Sequence, residues 1–568
     1  MAGELVSLDK LESYARLARV AIEPRLPATM PAAERMQIGE VSPFDVTPES
    51  PLGLKISELV KAARMVAGAD EKRRAKFSAM TFAEYLDAVE RWRVVKRDIE
   101  RNQGAGYAPE VWRFVLRLFD AEKHTPDFES YVQYVANIDP GLGDAVFRAI
   151  AATAPVFRAA ALREHSVIVG GTGAGKSELT KLLIHHYVSH PELGAVVVLD
   201  PHGDLASQVA HWREFSGAGA SRLAYLDANL GEGFVPAINP LVCKYEDGEE
   251  RARVSDQIAR ALVSLAEKGD ELTGNMVELA RCGVRVLLDK PGSHLGELVE
   301  GLLIQESKKN TLMKRGLEHE DEAIRDHYRL AFSGVNFAPS RLALARRVKG
   351  PLYFPKFRAA LKAENPIDLE SLLDAGKVVV INCGSMGTEE TADAFGRFIT
   401  AQIAAIGQRR NQRAQHERKP VHVFIDEATR LLTPTIFKML LELRKVRISL
   451  CLVQQNFGVG ADTDQKRSMR NNTEVKMLGR SGSLGGEFKE LGWRTDDVPR
   501  LERGEWIVGY RDGEMLKLKT ASHLADNSNA MSDEEWSEVR EYQLGRYYRQ
   551  ISSLPQDETS DEADGWER

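Results

Sequence analysis

The sequence predicts an α/β fold built on a mostly parallel sheet, with helices before it and within it. Three observations carry this. From about Arg163, short apolar runs alternate with helical stretches, as in SVIVG, ELTKLLIHHYV, AVVVLDPHGDLA and RLAYLD. Such alternation places each run in a sheet wrapped on both faces by helices. A glycine-rich loop, GGTGAGKS at 170–177, separates the first run from the first helix. Three more apolar runs, KVVVINCG, VHVFIDEA and ISLCLVQQ, return much later in the chain.

The elements follow in order. Residues 1–155 are read as a helical N-terminal region. Ile22 to Pro51 is a proline-bearing loop, and TFAEYLDAVERWRVVKRDIER and PEVWRFVLRLFDAEKH place apolar residues at helical spacing. Residues 156–246 form the first part of the sheet domain. Residues 247–370 return to amphipathic helix, exemplified by VSDQIARALVSLAEK and MVELARCGVRVLLDK, and read as an all-helical insertion. The sheet resumes over 371–525 and closes with EWIVGYRDGEMLKLKT, where Asp512-Gly513 between two strand-like runs signals a hairpin. Residues 526–568 are a helical segment and an acidic tail, PQDETSDEADGWER.

Composition narrows the class. The 568 residues are 43% hydrophobic and 28% charged, enough for a large buried core. A net charge of −7 gives no global attraction to nucleic acid, so any such contact must come from local basic patches. RRNQRAQHERK from Arg409 and ESKKNTLMKR from Glu306 are the two candidates. Cys243, Cys282, Cys383 and Cys451 lack metal-ligand spacing and read as reduced core residues. The lone His202 is read as a turn residue, and no metal is assigned beyond nucleotide-bound Mg²⁺. An eighteen-residue apolar run and a secretory leader are both missing, so no intrinsic membrane span is expected and a cytoplasmic location is.

The loop satisfies G-x-x-x-x-G-K-[ST] between a strand and a helix, the context that makes it a phosphate cradle. Gly170, Gly171, Thr172, Gly173, Ala174, Gly175, Lys176, Ser177 and the following Glu178 are the candidate nucleotide-binding residues. The glycines let backbone N–H groups approach phosphate oxygens, and the helix N-terminus adds its dipole. Lys176 neutralises charge on the β- and γ-phosphates, and the Ser177 hydroxyl is a Mg²⁺ ligand. A dinucleotide fingerprint would need glycine where Lys176 stands, which excludes that alternative. In VHVFIDEA, the strand delivers Asp426 as the second Mg²⁺ residue and Glu427 as general base for the attacking water. ATP with Mg²⁺ is the implied ligand.

Taken together, GGTGAGKS, VVLDPHGDL from Val197, AINPL from Ala237, VFIDEA from Val423, LRKVRISLCLVQQ from Leu443, NNTEVKMLGR from Asn471 and LERGEWIV from Leu501 resemble the FtsK/HerA class of P-loop ATPases. Within that class the chain looks like the coupling-protein branch of type IV conjugation and secretion ATPases. The likeness covers roughly residues 160–520. It implies a RecA-like, DNA-translocating ATPase that assembles as a homo-oligomer, a hexameric ring, around DNA, with a relaxase or secretion-channel components as partners. It also gives roles to three further residues. Gln455, at a strand end, touches the γ-phosphate or its water, or is an ordinary strand-end amide. Arg444 and Arg480 are alternative arginines reaching a neighbour's γ-phosphate, or ordinary solvated arginines. Asp200 either positions water or metal or caps the DPHGDL turn. The chain departs from coupling proteins in lacking N-terminal membrane helices, which leaves membrane association to a partner, and from HerA-type translocases in lacking a strand-rich start. A DNA-end-processing translocase acting with a nuclease and a nucleotide-gated recruitment module for protein substrates therefore stay open beside the conjugative motor.

Lys176→Ala should abolish tight nucleotide binding in an equilibrium titration with a fluorescent ATP analogue. An unchanged affinity would refute the loop's assignment.

Overall fold

The computed structural model describes residues 39–43, 47–68, 79–101, 128–138, 141–143, 145, 146, 149, 157–241, 248–263, 273–290, 292–304, 308–482, 488, 495–524 and 528–551. The expected helix at 109–124 and the acidic tail lie outside them. Contacts divide the chain into two compact units, the smaller of Gly39–Arg158 with Glu514–Lys519 and the larger of Ala159–Gly513 with the residues from Thr520 onward.

The larger unit is built on eight strands: β1 Ser166–Val169, β2 Ala195–Asp200, β3 Leu223–Leu226, β4 Val378–Asn382, β5 Val421–Ile425, β6 Ile448–Gln454, β7 Val475–Gly479 and β8 Glu505–Tyr510. Their spatial order is β8-β7-β1-β6-β5-β2-β4-β3. All neighbours are parallel except β7 and β8, which run antiparallel with Trp506 opposite Gly479. Valine, isoleucine and leucine fill β2, β5 and β6, and every residue of these strands is buried. Burial on both faces is what helices covering a parallel sheet impose. This is the RecA-like α/β architecture expected from the sequence.

One feature of the order decides the chemistry. The strand before the glycine-rich loop, β1, does not touch the acidic strand β5, because β6 lies between them. The end of β6 therefore stands between the loop and the carboxylates.

Between residues 248 and 360 the described residues form helices, among them Gly248–Val263, Gly274–Leu288, Leu295–Leu303 and Ala338–Leu352. Side-chain caps start several of them. Thr273 accepts from the Met276 N–H at 3.3 Å, and Asn310 from the Met313 N–H at 2.9 Å. Helix Gly248–Val263 packs on both Gly274–Leu288 and the long helix Glu389–Arg410 that follows β4, so the stretch belongs to the same compact unit as the sheet. At the C-terminal side, helix Asp533–Tyr547 is anchored by the buried Gln543, whose amide bonds Tyr225 N–H and Leu223 C=O of β3. Strand Tyr548–Gln550 then pairs antiparallel with Phe234–Pro236.

In the smaller unit, helices Pro51–Gly68, Phe82–Arg101 and Phe128–Ile138 surround a core of Ile56, Val60, Phe82, Tyr85, Tyr131 and Val135. Tyr131 lies 4.9 Å from the ring of Phe82 and 5.4 Å from that of Tyr85. Arg64 pairs with Glu84 at 2.5 Å and holds that carboxyl down at about 2. The unit also contains strand Gly39–Pro43, so the N-terminal region is not helical throughout. Five residues inside a proline-bearing loop carry no periodicity that would announce a strand.

In RRNQRAQHERK, a candidate phosphate-binding patch, the arginines make ion pairs and hydrogen bonds within the protein, with Arg410 buried and Arg413 38% exposed. Arg409 and Arg413 pair with Glu370 at 2.7 and 2.8 Å, Arg410 and Arg413 pair with Asp374 at 2.7 and 2.6 Å, and Arg418 bonds the carbonyls of Arg413 and Lys445. The Arg410 side chain is wholly buried. In ESKKNTLMKR, Glu306 and Ser307 lie outside the described residues, and Arg315 pairs with Glu297 at 2.9 Å.

Asp374→Ala should leave the Arg410 guanidinium buried without its carboxylate, a change that costs on the order of 3–5 kcal/mol. A urea titration should show a correspondingly lower midpoint; a shift of under about 1 kcal/mol would mean that the network is solvated.

Candidate nucleotide site at the carboxyl edge of the sheet

The loop turns off β1 and enters helix α1, Lys176–Ser189. Its backbone is fixed from both neighbouring strands. The Gly170 N–H donates to the Gln454 carbonyl of β6 at 3.2 Å, and the Gly171 N–H to the Arg480 carbonyl just past β7 at 2.8 Å. Gly175, the residue before α1, has φ 99°, and a Cβ there would come within 3.3 Å of the Gly504 nitrogen. The positive φ calls for glycine, and the nearby Gly504 backbone leaves little room for a side chain. Gly504 in turn donates its N–H to Ala174 C=O at 2.9 Å. Under the loop, Trp506 is fully buried, and its ring lies where a Cβ on Gly479 would sit, 2.6 Å from it. Gly504 and Trp506 belong to LERGEWIV, a segment whose sequence carried a resemblance but no role; the tertiary structure shows it bracing the loop.

Thr172, Gly173 and Ser177 are exposed at the mouth, and Ala174 is buried beneath it. α1 opens without a side-chain cap, leaving its first N–H groups to the loop's concavity. The Lys176 ammonium donates to the carbonyls of Gly170 at 2.9 Å and Gly171 at 3.3 Å. Its pKa is lowered by burial, against which Glu427 and Asp426 pull it back up, so the amine and both acids share one electrostatic neighbourhood. Glu178 turns toward Lys181, at 2.9 Å.

β5 ends at Ile425 and delivers Asp426, whose N–H donates to Leu199 C=O at 2.9 Å. Burial pushes the Asp426 carboxyl up to about 6, helped by the charge of Asp200, while Lys176 opposes the rise. Glu427 follows with φ 44° and ψ 42°, a left-handed conformation costly for a residue with a Cβ. Two contacts hold it there. Its carbonyl accepts the Arg430 N–H at 2.9 Å, and its carboxylate accepts the Gln455 amide at 2.9 Å. Arg430 is itself clamped to Asp393 at 2.8 Å. Gln454, by contrast, is wholly buried, with its side-chain oxygen accepting the Gly458 N–H at 2.9 Å, so Gln455 is the amide that reaches the site.

The remaining candidates fall in different places. Both oxygens of Asp200 are taken by backbone N–H groups, of His202 at 2.8 Å and Ala206 at 2.9 Å, so Asp200 closes the turn after β2 and acts on the site only through its charge. Arg480 is exposed beside its own loop, its guanidinium about 4.0 Å from the Cβ position of Gly173. Arg444 lies in the turn before β6, at the amino edge of the sheet, half exposed and paired with Glu164 at 2.7 Å. It therefore stands away from this chain's own loop. Three of the cysteines, Cys282, Cys383 and Cys451, are free and buried, and Cys243 lies outside the described residues. Among the described residues, no helix is long and apolar enough to cross a membrane.

The residues present fit a Mg²⁺-bound nucleotide. A half-buried carboxyl raised by its burial and by a second acid is the donor a divalent cation relieves, and the Ser177 hydroxyl is exposed on the first turn of α1. Cradle, acids and intervening amide form the arrangement of a P-loop nucleotide site. Residues 153–229, which take in the loop, α1, β2 and β3, match the family described as helicase HerA, central domain, and this supports the likeness to the FtsK/HerA class. Among solved structures the chain is similar to the bacterial conjugative coupling protein TrwBdeltaN70, at 16% identity and TM-score 0.45 over 65% of this chain and 87% of that one. It is also similar to VirB4 of Thermoanaerobacter pseudethanolicus, at 16% identity and TM-score 0.39 over 64% and 90%. A third likeness is to the cytoplasmic domain of the Thermomonospora curvata type VII secretion ATPase EccC, at 15% identity and TM-score 0.26 over 69% and 30%. The search of curated proteins returned no match.

Because the folded pKa of Asp426 is raised, the protein is most favoured with this carboxyl protonated. That stability is present below the ordinary pKa of 3.8 and is lost as pH rises through about 6. Asp426→Asn should therefore stabilise the nucleotide-free protein at pH 7.5 by up to about 3 kcal/mol, at about 1.4 kcal/mol per pH unit, while removing Mg²⁺-dependent hydrolysis. Urea titrations at pH 5 and 7.5, read beside ATPase rates, check both arms; a destabilised variant at pH 7.5 would contradict the electrostatic account.

Proposed function

We propose that this chain is an ATP-driven motor that assembles as a hexameric ring and moves DNA in conjugative or mobile-element transfer. The observation that carries the reading is the convergence of Lys176, Asp426, Glu427 and Gln455 at one sheet edge, from the first turn of α1 and the ends of β5 and β6. The triphosphate lies along the loop's N–H groups and the N-terminus of α1. The Lys176 amine exchanges its contacts with Gly170 and Gly171 for phosphate oxygens. Glu427 takes the proton of the water that attacks the γ-phosphorus as the bond to the β–γ bridging oxygen breaks, leaving ADP and phosphate. Ser177 and Asp426 would hold Mg²⁺, which supplies neutralisation of phosphate charge. Gln455, bonded to the Glu427 carboxylate, links the state of that acid to β6 and the segment after it. Arg444, remote from its own loop, acts on a neighbouring subunit's γ-phosphate; Arg480, beside its own loop, is the alternative source of that charge. The ring works from the cytoplasm, with a relaxase or secretion-channel component bringing it to the membrane.

The match to the helicase HerA central domain favours a second reading, a DNA-end-processing translocase that works with a nuclease. A nucleotide-gated recruitment module for protein substrates is the third, and it predicts no response to DNA.

ATPase rates with and without DNA, together with particle size with and without nucleotide, test the motor. The expected outcome is a rate that rises with DNA and a ring that forms on nucleotide; a DNA-indifferent rate from an assembled ring would replace the motor with the docking module. Glu427→Gln should keep ATP binding and lose turnover, and mixing it with Arg444→Ala should restore part of the activity if the arginine acts across subunits. Absence of rescue from mixed, assembled rings returns Arg444 to a surface role.

A further inference from the structure

From His327 to Ala363 the chain holds eight lysines and arginines and no aspartate or glutamate, the charges being spread along the sequence rather than gathered in one run. On helix Ala338–Leu352, Arg346 and Lys349 lie exposed on the stripe that also carries Leu342, 43% exposed, and leads to Tyr353, 66% exposed. The Lys349 ammonium sits 5.3 Å from the centroid of the Tyr353 ring. The next helix, Pro355–Ala360, adds an exposed Arg358. Among the described residues, Arg346, Lys349 and Arg358 have no carboxylate partner, the opposite of the arginines at 409–418.

Strand Tyr548–Gln550 is paired to Phe234–Pro236, the Ile551 N–H donates to Gly233 C=O at 2.8 Å, and the Ile551 side chain packs on Val235, Ala359 and Ala360. Residue 551 is thus fastened to the short helix that carries Arg358. Residues 552–568 then contain six aspartates and glutamates against one arginine, with a leucine and a tryptophan among them. A dozen residues reach up to roughly 40 Å when extended, enough to span both helices.

We propose that the acidic segment 552–568 docks in cis on the basic face formed by Arg346, Lys349, Tyr353 and Arg358. Complementary charge supplies the attraction, and the fixed exit at Ile551 supplies a high local concentration. Docking of this kind needs neither ATP hydrolysis nor DNA movement.

The test is carbodiimide cross-linking of the full chain, which joins a lysine amine to a carboxylate only when the two touch, followed by peptide mapping. Amides from Lys349 and Lys356 to acids between Asp557 and Asp564 should dominate, persist on dilution, and fall several-fold in 0.5 M NaCl and in the double variant Arg346→Glu/Arg358→Glu. A second variant, with the six tail acids changed to their amides, should acetylate at Lys349 several-fold faster than the parent chain. Cross-links spread evenly over Lys308, Lys314 and Lys438, or unchanged in the charge-reversed variant, would overturn the docking. Links that vanish on dilution would assign the tail to a second copy and overturn the cis contact. An oligonucleotide protecting Lys349 in a parent chain that forms no tail links would make this face a nucleic-acid surface instead.

Discussion

Buried negative charge at the carboxyl edge of the sheet is the constraint on which the rest of the site depends. Asp200 and Asp426 end adjacent parallel strands, Asp200 buried and Asp426 half-buried. Asp200 spends its charge on two backbone N–H groups, which leaves Asp426 as the acid that must find a cation or a proton. Lys176 supplies part of that relief from across the gap, and its own burial weakens it as a cation. The site is a pair of opposed, incompletely neutralised charges, poised for a polyanion that comes with its own divalent ion.

The intercalated strand β6 joins the two sides of the site. Had β1 and β5 been neighbours, the loop and the acids would have touched directly. With β6 between them, its end contributes the carbonyl that receives Gly170 and, one residue later, the amide that holds Glu427. Glu427 occupies a left-handed backbone conformation worth roughly 1–2 kcal/mol of strain, sustained by Gln455 on one side and by the Arg430–Asp393 pair on the other. The Glu427 carboxylate is thus tied to the end of β6, and its carbonyl to a residue clamped on helix Glu389–Arg410.

The arginines show why charge read along a chain misleads. The densest basic run, from Arg409, closes the end of helix Glu389–Arg410 against Glu370 and Asp374, acids nearly forty residues earlier. The sparser run from Arg341 to Arg358 buries Arg341 but leaves Arg346, Lys349 and Arg358 exposed. Local density measured neither outcome; the location of the carboxylates did.

Sequence alone determined the parallel sheet and the loop with its helix. It also determined the acids of β5 and the helical character of the described stretch between 248 and 360, because periodicity, glycine placement and strand-terminal polarity are local properties that burial enforces residue by residue. Strand order was not legible, since nothing in VHVFIDEA or ISLCLVQQ states which neighbour each takes. The bracing of the loop by Gly504 and Trp506, the internal consumption of Arg409, Arg410 and Arg413, and the separation of Arg444 from its own loop were equally hidden. These are pairings across tens to hundreds of residues, and only the packed fold brings such partners within the few ångströms at which hydrogen bonds and ion pairs act.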